Sequence, residues 1–264
     1  MAAHQGGPWW RIDRPGAGGG IKVSVATLYP LSLLVFRRDW RRIERVPAHG
    51  PAIVVMNHVS RLDPVLMATM LWDTGRVPRF MIKSSLFDKP VIGWVFRTAE
   101  QIPVARGTGD ARASVDAAHQ ALRNGEMVAI YPEGTTTRDP AGWPMQARTG
   151  IARLALDNPG VPVIPIGHWG LRVRAAGRAP RRLRLRRIPV AASVGPPVEL
   201  EDLRARPMTL DVLRQVTARI MTAVRDEVAA VRGEDPPEQF YVPPRQKRPR
   251  PPAAGPAGAG DGAG

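Results

Sequence analysis

Apolar residues in this chain come in short runs of two alternating kinds. "AIVVM" (52–56) is a continuous apolar run closed by turn residues, the pattern of a strand buried on both faces. "RFMIK" (79–83), "QIPVA" (101–105), "MVAIY" (127–131) and "VPVIPIG" (161–167) repeat it, and "LRLRRIPVAASV" (183–194) reads as extended with partial alternation. Segments of helical period lie between them. One begins at Asp63-Pro64, with the aspartate as N-cap and the proline in the first turn. "PVIGWVFRTA" (90–99) is a second. Residues 109–124 set Ala111, Val115, Ala118 and Leu122 on one face, with Gly125 just past the end. "GIARLALD" (150–157) and an amphipathic terminal helix over 210–231 complete the set. Strands alternating with helices predict an α/β sheet with helices on both faces. No internal repeat is visible.

The ends break this pattern. Residues 1–20 are rich in Gly, Pro and Arg and finish in "GAGGG", and residues 233–264 become a Pro/Gly/Arg tail with little apolar bulk. Such segments bury too little surface to offset the entropy of ordering, so both are expected to be flexible. The apolar run "VSVATLYPLSLLVF" (23–36) is too short for a spanning helix and is interrupted by Pro30. Trp9, Trp10, Trp40 and "RRDWRR" (37–42) surround it. Two readings stand: a helix lying among lipid headgroups, or a helix packed on the core with a solvated basic end. On the first reading the chain divides into a flexible segment 1–20, an interfacial segment 21–42, a folded domain 43–232 and a tail 233–264.

Charge narrows the partners. The net charge is +15, carried almost wholly by arginine, with only four lysines. A GC-rich coding sequence explains arginine over lysine, but not the shortage of acids. The excess attracts polyanions: an anionic membrane surface, phosphorylated substrates or nucleic acid. With three Tyr and five Phe and no aromatic run in a strand, the chain offers no base-stacking platform, so nucleic acid is not expected as a partner. The basic segment 172–187 suits anionic headgroups, the phosphates of coenzyme A or an acidic carrier protein. There is no cysteine, which excludes disulfides, thiolate metal sites and a cysteine nucleophile. The N-terminus lacks the basic-then-apolar order of a signal peptide.

Ligands of such sheets gather at loops leaving the carboxyl ends of strands. After the first strand come Asn57-His58, with Asp63 next; then Lys83; then Arg106-Gly107; then "PEGTTTRD" (132–139). A histidine steadied by a carboxylate is a general base. With no cysteine and no Gly-x-Ser-x-Gly stretch, it would activate a hydroxyl of the substrate or a water. Lys83, Arg106 and Arg138 point to an anionic substrate, a phosphate ester above all. Each piece alone has an ordinary reading: Asp63 as N-cap, His58 on a loop carbonyl, the cations as solvated strand ends, Glu133-Gly134 as a turn. His4, His49 and His119 take such readings, and His168, which follows a strand, is kept only as a remote candidate. "GAGGG" follows no strand and is not a nucleotide loop. No carboxylate or histidine cluster implies a metal.

Together, "NHVSRLDP" (57–64), "IPVARG" (102–107), "YPEGTTTRD" (131–139) and "VPVIPIG" resemble the four ordered blocks of the glycerolipid acyltransferases, of the 1-acyl-sn-glycerol-3-phosphate acyltransferase type, over roughly residues 45–200. The resemblance implies a mixed, largely parallel sheet flanked by helices. It makes His58 the general base and Asp63 its orienting partner. It gives Arg106 and Lys83 to the acceptor's phosphate, with Glu133, Gly134 and Thr135 shaping that site. It implies an acyl thioester donor, on coenzyme A or acyl carrier protein, a lysophospholipid acceptor, no further cofactor, and peripheral attachment to the cytoplasmic face of the cell membrane. The family usually has arginine directly after Glu-Gly-Thr; this chain has Thr136, with Arg138 two residues later. Acceptors with other headgroups, or an idle membrane-binding module, are the alternatives.

Overall fold

In the computed structural model, which describes residues 10–105, 111–171 and 187–243, seven strands form one sheet: β1 Phe36–Arg41, β2 Ala52–Met56, β3 Pro78–Lys83, β4 Ile102–Val104, β5 Met127–Ile130, β6 Val163–Trp169 and β7 Ile188–Val194. Their spatial order is β1-β7-β6-β2-β5-β3-β4. Strands β6, β2, β5, β3 and β4 are parallel; β7 pairs antiparallel with β6, and β1 runs parallel to β7. The helices are α1 Gly19–Val35, α2 Asp63–Asp73, α3 Pro90–Thr98, α4 Ala111–Arg123, α5 Gly150–Leu156, the short α6 Glu201–Arg204 and α7 Leu210–Arg232.

The central strand shows why the layers form. All five residues of β2 are buried, and alternate side chains enter different cores. Val54 and Met56 pack with Leu66, Met67, Met70 and Leu71 of α2 on one face. Ile53 and Val55 pack with Leu122 of α4, Ile151 of α5 and Val216 and Ile220 of α7 on the other. The expected mixed, largely parallel sheet with helices on both faces is the one found.

The expected boundaries shift. Residues 36–41 are an edge strand of the main sheet and do not continue the helix before them: Phe36, Arg38 and Trp40 turn inward, and Arg37, Asp39 and Arg41 face out. Arginines disguise the alternation. Arg38 is held inside by stacking on Tyr29 and Trp40 and by an ion pair with buried Asp73 at 3.6 Å. Nor are all of residues 10–20 loose, because the Arg14 guanidinium stacks on Trp72 at 3.9 Å. The tail begins later than expected: Gly233 caps α7 in the left-handed conformation, Phe240 lies under Arg225 at 5.0 Å, and Tyr241 bridges to Met145.

Helix α1 packs on the body along one side and leaves apolar residues exposed along another. Val25 and Tyr29 pack with Trp72 in a core of their own, and the Tyr29 hydroxyl donates to Asp73 at the end of α2. Burial and that carboxylate push the Tyr29 hydroxyl up to about 12. Val23, Leu28, Leu31 and Leu34 on the same helix are exposed, and beside it α3 exposes Val91, Ile92 and Trp94. Among the described residues no helix is long and apolar enough to cross a membrane.

Candidate active site

Three neighbouring parallel strands, β6, β2 and β5, deliver the site from their carboxyl ends. Asn57 and His58 leave β2, Tyr131 to Gly134 leave β5, and His168 is the penultimate residue of β6. The His58 Nδ1 lies 2.9 Å from Asp63 Oδ2. A carboxylate accepts, so Nδ1 carries the proton and Nε2 keeps a lone pair, as a base requires. The same Oδ2 accepts from the Val59 and Ser60 N–H groups at 2.6 and 2.7 Å. Three donors on one oxygen offset the cost of burying a fully enclosed carboxylate. Asp63 is therefore not the N-cap of α2. It is the first helical residue, capped by Leu62, and its side chain reaches back to the loop.

Glu133 is buried beneath this loop. One carboxylate oxygen accepts from the His58 N–H at 2.8 Å and the other from the Met145 N–H at 3.0 Å. It shapes the loop rather than facing a substrate. Burial pushes its carboxyl up to about 8, against the two backbone donors that favour the anion. Gly134 turns the chain at φ +70°, its N–H bonded to the Tyr131 carbonyl at 3.0 Å. Thr137 N–H donates to the His58 carbonyl at 2.6 Å, tying the two loops together. The His58 ring stacks on Tyr131 at 4.5 Å.

His58 opens onto a largely apolar pocket of about 380 Å³ between α1, α2, α3 and β3. Val25, Ala68, Trp72, Phe80 and Phe96 line its length, and Arg61 and Lys83 stand on its wall with His58 and Gly134. Both cations are exposed and have no carboxylate partner among the described residues. Sequence reasoning singled out Lys83 but missed Arg61, although it lies between His58 and Asp63. Arg138 is exposed and does not line the pocket, and Thr135 and Thr136 are half-buried in the turn. Arg106, and the basic segment 172–187 apart from Arg187, lie outside the described residues. Among the described residues, no group of three or more His, Asp or Glu is placed to hold a metal ion.

Fold and site together belong to a known class. The family model of the acyltransferases matches residues 37–169, just over half of the chain, and the chain belongs to that family. A chloroplastic 1-acyl-sn-glycerol-3-phosphate acyltransferase of Brassica napus is 30% identical over 148 residues, 54% of this chain and 39% of that protein. The N-acylphosphatidylethanolamine synthase of Arabidopsis thaliana is 30% identical over 136 residues, 48% of this chain and 47% of that protein. The lyso-ornithine lipid O-acyltransferase of Pseudomonas aeruginosa is 31% identical over 96 residues, 36% of this chain and 35% of that protein. The chain thus spans less than half the length of these relatives. The crystal structure of the 1-acyl-sn-glycerophosphate acyltransferase from Thermotoga maritima shares the fold, with a TM-score of 0.56 at 21% identity over 81% of this chain and 83% of that one.

Proposed function

We propose that the protein transfers an acyl chain from a thioester to the free hydroxyl of a lysophospholipid, 1-acyl-sn-glycerol-3-phosphate in the first instance, giving phosphatidic acid. The observation that carries this reading is the His58–Asp63 pair at 2.9 Å, set at an apolar pocket bearing Arg61 and Lys83. The pocket suits an acyl chain, and the two cations suit the acceptor's phosphate.

In the reaction His58 Nε2 takes the hydroxyl proton as that oxygen attacks the thioester carbonyl. The new C–O bond forms, the tetrahedral carbon collapses, and the C–S bond breaks. The thiolate leaves as coenzyme A or carrier protein and takes the proton back from the imidazolium. Asp63 orients the ring and stabilises its cation. No acyl-enzyme is needed, in keeping with a chain that offers no cysteine. Helices α1 and α3 both wall the pocket, and their exposed apolar residues, of which Leu28 also lines it, would let a lipid enter from a bilayer surface without leaving it. The protein on this reading binds peripherally at the cytoplasmic face of the cell membrane, where thioester donors are made.

The test is thiol release from palmitoyl-coenzyme A, which the cysteine-free protein follows without background. Release that needs lysophosphatidate, and falls by about 100- to 10,000-fold in His58→Ala, is the expected result. Release without an acceptor would make the protein a hydrolase. Preference for another lysolipid would move the headgroup assignment alone. No release from coenzyme A or carrier-protein thioesters would leave a membrane-binding module without activity.

A further inference from the structure

His168 is fully buried, and no step of the proposed reaction uses it. It sits on β6, directly beside β2, the strand that leads into His58. Gly167, one residue earlier, faces α7: a Cβ there would lie 2.2 Å from the Val228 nitrogen. Strand alternation turns His168 to the opposite face, toward the start of α2.

Its contacts are specific. Nε2 lies 2.7 Å from the carbonyl oxygen of Asn57, the residue immediately before the base, and 3.7 Å from Asp63 Oδ2. Both partners accept, so Nε2 carries the proton. The Asn57 side chain closes the arrangement, donating Nδ2–H to the His168 carbonyl at 3.0 Å and accepting the His168 N–H at 2.9 Å. Burial holds the imidazole below its ordinary value, neutral beside the charge of Asp63. Among the described residues Nδ1 has no hydrogen-bond partner, so the polar contacts described for this ring are made at Nε2.

We propose that His168 is a positioning residue for the general base: its Nε2–H clamps the Asn57 carbonyl and lies beside the Asp63 Oδ2 that holds His58, and so sets where His58 presents its free nitrogen. The inference rests on the reading of His58 as the base. A carbonyl anchored on one side of His58 and a carboxylate anchored on the other leave the imidazole one attitude, the pre-organisation that a proton transfer at van der Waals distance demands. The group that Nε2–H satisfies is the carbonyl of the peptide that carries the base.

The experiment compares His168→Met, which keeps bulk without the donor, with His168→Gln, whose amide restores an N–H, in the thiol-release assay. His168→Met is expected to lower kcat by about 100-fold while KM for donor and acceptor moves by less than about twofold, and His168→Gln to recover kcat to within about fivefold of the wild type. Circular dichroism and thermal melts establish that each variant is folded. A folded His168→Met with wild-type kcat, or folded Met and Gln variants equally slow, overturns the proposal. Should the methionine variant not fold, His168→Asn, too short to reach the Asn57 carbonyl, replaces it: equal rates for Asn and Gln overturn the proposal, and a slow Asn beside a fast Gln supports it. His58→Ala is assayed in parallel. If it keeps its rate, the assignment of the base itself fails; if it is dead while His168→Met is normal, only the role of His168 fails.

Discussion

Glu133 accepts from the His58 N–H on one side and the Met145 N–H on the other, and its protonation is linked to folding. Its carboxyl is raised from 4.5 to about 8 in the folded protein, so between those values the folded chain holds a proton that the unfolded chain has released. Stability therefore falls as pH rises through that window and levels off beyond it. Melting temperatures of the wild type and Glu133→Gln across that range check this. The wild type should lose ground to the variant as pH rises, and a constant gap would count against it. The cations divide as well. Arg61 is on the pocket wall and Arg138 is not. Arg61→Ala should raise KM for lysophosphatidate about tenfold or more, the loss of one charge-assisted hydrogen bond, with Arg138→Ala within about twofold. Steady-state kinetics at varied acceptor decide it. At this scale the His58–Asp63 pair was legible because it lies within one turn of chain. Asn57, Tyr131 and His168 were not legible as a group, because Asn57 and His168 are 111 residues apart and meet only through the pairing of β2 with β6.

Helix α3 forms one wall of the pocket through Val95 and Phe96, and its seat depends on a glycine. A Cβ on Gly93 would fall 2.0 Å from the Phe87 carbonyl oxygen. Alanine is the better helix former by about 1 kcal/mol, but the clash is with backbone and cannot be relieved by a rotamer. Gly93→Ala is expected to destabilise the protein by about 1–3 kcal/mol, read as a lower denaturant midpoint; an unchanged midpoint would show that the Phe87 turn yields. The strands and long helices were readable from the chain, since continuous apolar runs and 3.6-residue periods are local signals. Edge strand β1 was not. Its inward positions hold an arginine and a tryptophan whose burial depends on Tyr29 and Asp73 from other elements.

Across the whole molecule, a net charge of +15 accompanies exposed apolar residues on α1 and α3, two helices that wall the pocket. Each cation near an anionic bilayer contributes about 1 kcal/mol and is screened within about 10 Å at 0.1 M salt. Sedimentation with phosphatidylglycerol vesicles should therefore weaken as salt rises, and a paired Leu31→Glu, Ile92→Glu variant should bind at least about tenfold less with its melting temperature unchanged, since both side chains are already exposed. Binding indifferent to salt and to the pair would remove the membrane from the proposal.

By itself, the sequence determined the α/β class, most element positions, the four motif blocks and the His58–Asp63 pair. Each of these is written in residues close along the chain or in a period that one element repeats. Tertiary structure alone decided the rest: that strand order puts His168 against the Asn57–His58 peptide, that Arg61 rather than Arg138 reaches the pocket, that Asp63 serves the loop instead of capping its helix, and that residues 233–243 pack on the body. Those outcomes depend on which strands are neighbours and which faces are covered. Only the burial of the whole core sets both.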